Sequence, residues 1–239
     1  MRIASGLHRV GSDLVAVYLV EEGGRVTVID AGLPGLWSEL LAELEVMGRS
    51  LDDVAAVLLT HGDTDHLGFA ERLRREAGVP VLVHEDDAER ARTAKNDPNG
   101  AAGPVRIRPL LSFLWYSGRR GGLRIPGVQE VRTFRGGDVL DVPGSPRVVH
   151  LPGHTDGSVA FHVLAVDAVV VGDAMTTRNV LTGITGPQPA PFTLEPARAL
   201  DSLSALAVVD ASWVLPGHGP PWGGGTAEAV ARVRTAAAG

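Results

Sequence analysis

The 239-residue sequence predicts an α/β layered fold with two sheets in one domain. Strand-like apolar runs alternate with helical spacings through the first hundred residues, which favours layers of sheet and helix. The second half has the same rhythm, strands before helices, without a repeat at residue level. No polar linker separates the halves, so residues 1–239 read as one domain with an irregular insert at about 95–127.

Residues 13–20 and 25–29 read as strands, joined by a hairpin turn at Glu21-Glu22-Gly23-Gly24. A loop over 30–35 leads into a helix near 36–47, with Leu36, Leu40, Leu41, Leu44 and Met47 at helical spacing. Val54 to Leu59 has the look of a buried strand. Residues 60–66 form a polar loop, and a helix near 67–77 is ended by Gly78 and Pro80. A strand at 79–83 and a helix at 85–94 follow. Residues 95–127 break the rhythm with Gly and Pro, yet hold the apolar-aromatic run Leu110 to Tyr116; a short core helix and a substrate-facing cap are both open readings. Strand-like runs resume at 131–134, 138–142, 147–151, 158–164 and 168–171. A Gly/Pro/Thr-rich loop covers 174–192, then come a helix near 194–207, a strand at 213–215, a turn-rich loop and a terminal helix at 226–236.

Hydrophobic residues make up 44% and charged residues 21%, so neither disorder nor a fibrous architecture is indicated. The net charge of −6 argues against nucleic acid and against an anionic membrane as partners, because both select clustered Lys and Arg. The chain has 0 Cys, which excludes disulfides, thiolate metal sites and cysteine nucleophiles. No run reaches the ~18 apolar residues of a membrane span. The opening residues lack a basic stretch followed by an apolar one, so the expected location is cytoplasmic.

Residues with metal-ligand chemistry follow the apolar runs at five places. They are Asp30, the cluster His61-Gly62-Asp63-Thr64-Asp65-His66, His154 in Leu-Pro-Gly-His, Asp173 in Val-Gly-Asp-Ala, and His218 in a second Leu-Pro-Gly-His. Loops leaving one edge of a sheet converge, and ligands of layered α/β folds sit there. Each residue alone has an ordinary role open to it: Asp63 or Asp65 could cap a helix, and Asp173 could end its strand in a turn. So many ligand types within six residues would repel or strain without a cation, which favours a thiolate-free transition-metal site.

These segments, in this order and spacing over about residues 13–220, resemble the metallo-β-lactamase fold superfamily, whose second motif is usually His-x-His-x-Asp-His. The resemblance implies an αββα sandwich of two mixed β-sheets flanked by helices, with a binuclear site at one edge. It implies that His61, Asp63 and His154 bind one divalent ion, and Asp65, His66 and His218 the other. Asp173 would bridge them, and Asp30 would hold the site together from behind. The implied chemistry is hydrolysis by a metal-bound hydroxide, with Asp65 both ligating metal and orienting the nucleophile.

Asp63 departs from the family pattern, standing where most members have a second His. It takes the ligand charge from −2 to −3, which weakens the Lewis acidity of two divalent ions. Zn is the expected metal at both positions, and the harder carboxylate donor of Asp63 adds Mn or Fe as alternatives. A mononuclear site of Asp65, His66, Asp173 and His218 is the alternative. Among subclasses, the net charge disfavours polyanionic substrates. Gly172-Asp173-Ala174-Met175 differs from the glyoxalase-type motif. Thr176 stands where quorum-sensing lactonases have Tyr, with Tyr116 the candidate substitute. Flavodiiron proteins also carry a carboxylate at the position of Asp63, which keeps an iron oxidoreductase in view; a non-catalytic protein on the same fold is the other alternative.

The leading expectation is a metal-dependent hydrolase of a small ester, lactone or thioester. Phe113, Trp115 and Tyr116 would form an apolar wall of its pocket. Arg178 would offset the charge of Asp63 or contact an anionic substrate. His150 and His162 could bond a carboxylate behind the site, while His8 and His84 have surface or core roles.

Overall fold

A computed structural model describes residues 1–97, 99–101 and 103–238. Four antiparallel strands open the chain: β1 (Arg2–Ala4), β2 (Leu7–Gly11), β3 (Ala16–Glu22) and β4 (Arg25–Ile29). The β3–β4 hairpin turns on Gly23 and Gly24, both with positive φ (59° and 81°), the backbone a two-residue hairpin needs and side-chain-bearing residues resist. After α1 (Trp37–Val46) the chain adds β5 (Val54–Leu58) parallel to β4. The short α2 (Thr64–Leu67) and α3 (Ala70–Ala77) lead to β6 (Val81–His84). Then α4 (Ala88–Thr93) and α5 (Ile107–Arg119) precede β7 (Arg132–Phe134). The seven strands lie in chain order in one mixed sheet.

The second sheet holds β8 (Arg147–His150), β9 (Val159–Val163), β10 (Ala168–Gly172) and β13 (Trp213–Pro216), in the order β13-β10-β9-β8. Between β10 and β13 lie a small hairpin of β11 (Thr176–Arg178) and β12 (Thr185–Gln188), and α6 (Pro196–Ala207); α7 (Thr226–Ala238) follows.

Side-chain alternation along the strands builds the layers. In β3, Val17 and Leu19 face α1 and α3, while Tyr18 and Val20 face the other sheet. In β10, Val170 points between the sheets, and Val169 and Val171 point to Leu203, Leu206 and Val230 on α6 and α7. Both sheets are thus covered outside by helices and pressed together inside, the expected αββα sandwich. Among the described residues no helix is long and apolar enough to cross a membrane.

The structure differs from the sequence expectations at four places. Strands β1 and β2 were not expected, because His8 and Arg9 interrupt the apolar signal; both are buried by partners, Glu43 for His8, and Asp13 and the Gly219 carbonyl for Arg9. The strand expected at 138–142 is reduced to one bridge between Val139 and Arg147, since the chain turns at Pro143-Gly144-Ser145. The loop at 174–192 contains β11 and β12 despite its Gly and Pro. In the 95–127 insert the apolar run is α5, which buries only Tyr116 and leaves Leu111, Leu114 and Trp115 exposed, so most of its apolar residues stay outside the core.

Phe161 is fully buried between the sheets with its ring centroid 5.6 Å from that of Phe134. Phe161→Ala is expected to lower the unfolding free energy by about 3–5 kcal/mol in urea titrations. At the ends of β6 and β8 the imidazoles of His84 and His150 stack at 4.3 Å. Burial, and then the neighbouring His150, hold the His84 pKa below its usual value. The folded state therefore resists a proton that the unfolded chain takes up, and stability falls as pH drops below about 6.5. His84→Gln should flatten that part of the profile, measured as the difference in unfolding free energy between variant and wild type across pH.

Candidate metal centre

Strand direction brings the chemistry to one edge. β4 and β5 run parallel, as do β10 and β13, and β8 points the same way as β10. Their C-terminal ends deliver Asp30, His61, His154, Asp173 and His218. The sheets are joined at this edge by Val159 N–H donating to the Thr60 carbonyl and Ala16 N–H donating to the Gly217 carbonyl.

All four imidazoles are held through Nδ1. The Asp30 carboxylate faces Nδ1 of His66 at 2.9 Å and also accepts from the Thr60 amide and hydroxyl. Thr60 Oγ1, its proton committed to Asp30, is left to accept from Nδ1 of His61 at 3.0 Å. Thr193 Oγ1 donates to the Ala190 carbonyl and meets Nδ1 of His154 at 3.2 Å. Nδ1 of His218 donates to the Leu14 carbonyl. Each ring is thereby set in the tautomer that presents a bare Nε2 to the centre, the arrangement metal-ligating histidines adopt. Asp30 holds this role from a left-handed backbone (φ 62°), uncommon for a residue with a side chain.

The four Nε2 atoms converge with three carboxylates. Asp63 Oδ2 lies 3.3 Å from His154 Nε2 and 3.8 Å from His61 Nε2. Asp65 Oδ2 lies 3.4 Å from His218 Nε2. Asp173 stands between these groups: Oδ1 is 3.6 Å from His66 Nε2, and Oδ2 is 3.2 Å from His218 Nε2 and 3.8 Å from His154 Nε2. His61 with Asp63 and His154, Asp65 with His66 and His218, and His61 with His66 and Asp173 each form a group able to hold a metal ion. His61 Nε2, His66 Nε2 and Asp173 Oδ1 are buried with no hydrogen-bond partner among the described residues. Unpartnered buried polar atoms are rare and unfavourable, and a shared cation satisfies all three. The residues present fit divalent metal.

Protonation preferences split across the cluster. Burial, and then the neighbouring His66 and His154, push His61 down to about 3. Burial also acts to lower His66, but Asp30 and Asp173 outweigh it and raise that ring to about 9. Burial opposes ionisation of Asp173, yet His218 and His66 hold its carboxyl well below the usual range. Without a cation, protons on His66 and His218 balance the carboxylates; metal binding would release them.

Two residues of α4 and its N-terminal turn grip the motif loop, and the sequence did not reveal them. Asp87 accepts from Gly62 N–H (2.7 Å), Thr155 Oγ1 (2.8 Å) and Gly157 N–H (3.0 Å), tying the His61 loop to the His154 loop. Arg90 Nε donates to Asp63 Oδ1 at 2.6 Å. The approach requires glycine at 62, where a Cβ would lie 2.9 Å from Arg90 Cβ and 3.0 Å from Ala91 N. In Glu85-Asp86-Asp87-Ala88-Glu89-Arg90 both residues read as an ordinary charged helix start. The guanidinium expected of Arg178 is thus supplied by Arg90, while Arg178 lies in β11 with its amide on the His218 carbonyl.

Asp63, Asp65, His154, Asp173 and His218 of the centre line a cavity of about 440 Å³, whose other lining residues include apolar Leu33, Phe113, Leu123, Ile125 and Phe192 and polar Arg90, Asn96 and Asp97. Phe113 is where it was expected. Trp115, Tyr116 and Arg178 are not among the described residues that line it: Trp115 faces solvent, and the Tyr116 ring is buried under the Arg120 guanidinium at 4.2 Å. Nor, among the described residues, do His150 and His162 bond a carboxylate there; His150 Nε2 meets the Asp156 carbonyl, and His162 Nε2 has no partner among them. A second cavity of about 510 Å³, between β12, α6 and α7, has no titratable side chain among its described lining residues.

The sequence profile of the metallo-beta-lactamase superfamily matches residues 10–218, and so spans every residue of the centre. The chain belongs to this superfamily. Metallo-β-lactamase superfamily proteins bind divalent metals, and the His and Asp groups described above are candidates for that role. The chain is 35% identical over 175 residues to the uncharacterized protein Rv2581c of Mycobacterium tuberculosis, covering 69% of each chain. It is 28% identical over 240 residues to the probable metallo-hydrolase YflN of Bacillus subtilis, covering 92% of this chain and 86% of that one. The structure of TTHA1623 in a di-iron-bound form superposes with a TM-score of 0.64 at 29% identity, covering 95% of this chain and 97% of that one.

Asp87→Ala should leave the far-UV circular dichroism spectrum intact and weaken metal retention about 10–100-fold in chelator competition, because it frees both ligand-bearing loops without removing a ligand.

Proposed function

We propose that the chain is a metal-dependent hydrolase of a small, uncharged ester, lactone or thioester. The observation that carries this reading is a cluster in which His61 Nε2, His66 Nε2 and Asp173 Oδ1 have no hydrogen-bond partner among the described residues, and which opens through Asp63, Asp65, His154, Asp173 and His218 onto a cavity lined in part by Leu33, Phe113, Ile125 and Phe192. His61, Asp63 and His154 would hold one divalent ion, Asp65, His66 and His218 the second, with Asp173 between them. When bound, such ions supply Lewis acidity toward a carbonyl oxygen and lower the pKa of water.

The remaining work belongs to the chain. Burial raises the cost of ionising Asp65, but His218 and His66 outweigh it and hold its carboxyl below the usual range, so it is ionised near neutral pH and able to accept a proton at the cavity floor. The apolar side chains of Leu33, Phe113, Ile125 and Phe192 favour an apolar acyl or aryl group beside the scissile bond. Asp63 does not read as a degenerate ligand. Its Oδ1 is taken by Arg90 and its Oδ2 is left toward His61 and His154, so the pair offers one donor atom at no net charge, as an imidazole does. That restores the ligand charge to the family value and keeps zinc the first expectation; the di-iron form of TTHA1623 supports iron as the second.

The test is turnover of aryl esters, lactones and thioesters by protein loaded with Zn, Mn or Fe. His66→Ala should lower kcat/KM at least a hundredfold, roughly the upper end of losses seen for residues behind a ligand, and bound metal should fall with it. Equal turnover by the variant would place the activity outside this centre.

A further inference from the structure

The formal charge of −6 is an average that conceals a segment of opposite sign. Residues 98–129 hold five Arg and no acidic residue. Arg120 is engaged by Glu39 at 2.8 Å, whereas Arg106, Arg108, Arg119 and Arg124 are exposed without a carboxylate partner among the described residues. The same segment carries an inverted helix. A surface helix ordinarily turns its apolar stripe inward and its polar side out. In α5 the inner side is Phe113 and Tyr116, while Ile107, Leu111, Leu114 and Trp115, spaced i, i+4, i+7 and i+8, form a second apolar stripe exposed by 75%, 58%, 54% and 65%. Leu123, 92% exposed, extends it beyond the helix end. Contiguous exposed apolar patches of this kind mark interaction sites.

From this geometry we infer that the α5 face docks on an anionic lipid surface, the apolar stripe entering the headgroup boundary and the arginines meeting lipid phosphates. An exposed stripe of aliphatic residues and Trp, with Arg along the flank, is the composition of an interfacial helix. Charge complementarity selects this occupant. A second copy of the chain seated on the same face would set arginines against arginines. The proposal does not rest on the hydrolase reading, although Phe113 and Leu114 of the same helix border the cavity, so docking would place the cavity mouth at the lipid boundary.

The test is sedimentation of the full chain with vesicles of phosphatidylglycerol and phosphatidylcholine, against vesicles of phosphatidylcholine alone. Expected is binding to the mixed vesicles only, weakened by salt, with a blue shift of Trp emission that Trp115→Phe removes. Charge removal in R106Q/R108Q/R119Q/R124Q should reduce partitioning by about fivefold per Arg. I107S/L111S/W115S should abolish it while the circular dichroism spectrum is retained. Failure to bind mixed vesicles overturns the proposal. So does equal binding to both vesicle types, or a dimer in sedimentation velocity that the apolar variant dissociates in the absence of vesicle binding.

Discussion

Four imidazoles and three carboxylates are packed at the junction of two sheets, where His61 Nε2, His66 Nε2 and Asp173 Oδ1 find no hydrogen-bond partner among the described residues. The fold commits their outer atoms to Asp30, Thr60, Thr193 and the Leu14 carbonyl, which turns every Nε2 inward. Left alone, such a cluster would face the desolvation of unpaired polar groups. A cation would remove that penalty, so rigid positioning from behind and convergence of donor atoms in front are two sides of one constraint. The rest of the molecule serves it: parallel strands deliver the residues to one edge, and the β11–β12 hairpin fixes the His218 carbonyl through the Thr176 hydroxyl and the Thr177 amide.

The departure at position 63 shows how a protein can exchange an imidazole for a carboxylate in such a cluster without changing the cluster's net charge. A carboxylate alone would add a negative charge and a second donor oxygen. The Arg90 guanidinium cancels the first and occupies the second. The added charge that would have shifted metal preference is therefore compensated inside the protein, at the expense of tying the centre to a neighbouring helix.

The fold and the seven convergent residues were legible because both follow from patterns a chain cannot disguise. Short continuous apolar runs declared the buried strands, and polar residues placed directly after them declared the edge. Asp87 and Arg90 were illegible for the opposite reason: they lie in a run of charge that on any exposed helix would mean solvent, and only the close approach of α4 to Gly62 gives them meaning. Trp115 and Tyr116 were drawn toward the cavity by their chemistry, whereas helical geometry sends residue 115 outward and residue 116 inward under Arg120. The strands β1 and β2 were hidden by His8 and Arg9, polar residues whose burial depends on distant partners.

Asp87 and Arg90 are three residues apart and reach two different loops of the centre from a single short helix. A ligand that binds only the native arrangement stabilises whatever creates it. Were metal to bind at the centre, the docking of α4 would be thermodynamically linked to its free concentration: scarcity of the ion would loosen the helix, and a loosened helix would surrender the ion. Structural integrity and loading state would then be a single variable, read out at a turn of helix outside the ring of donor atoms.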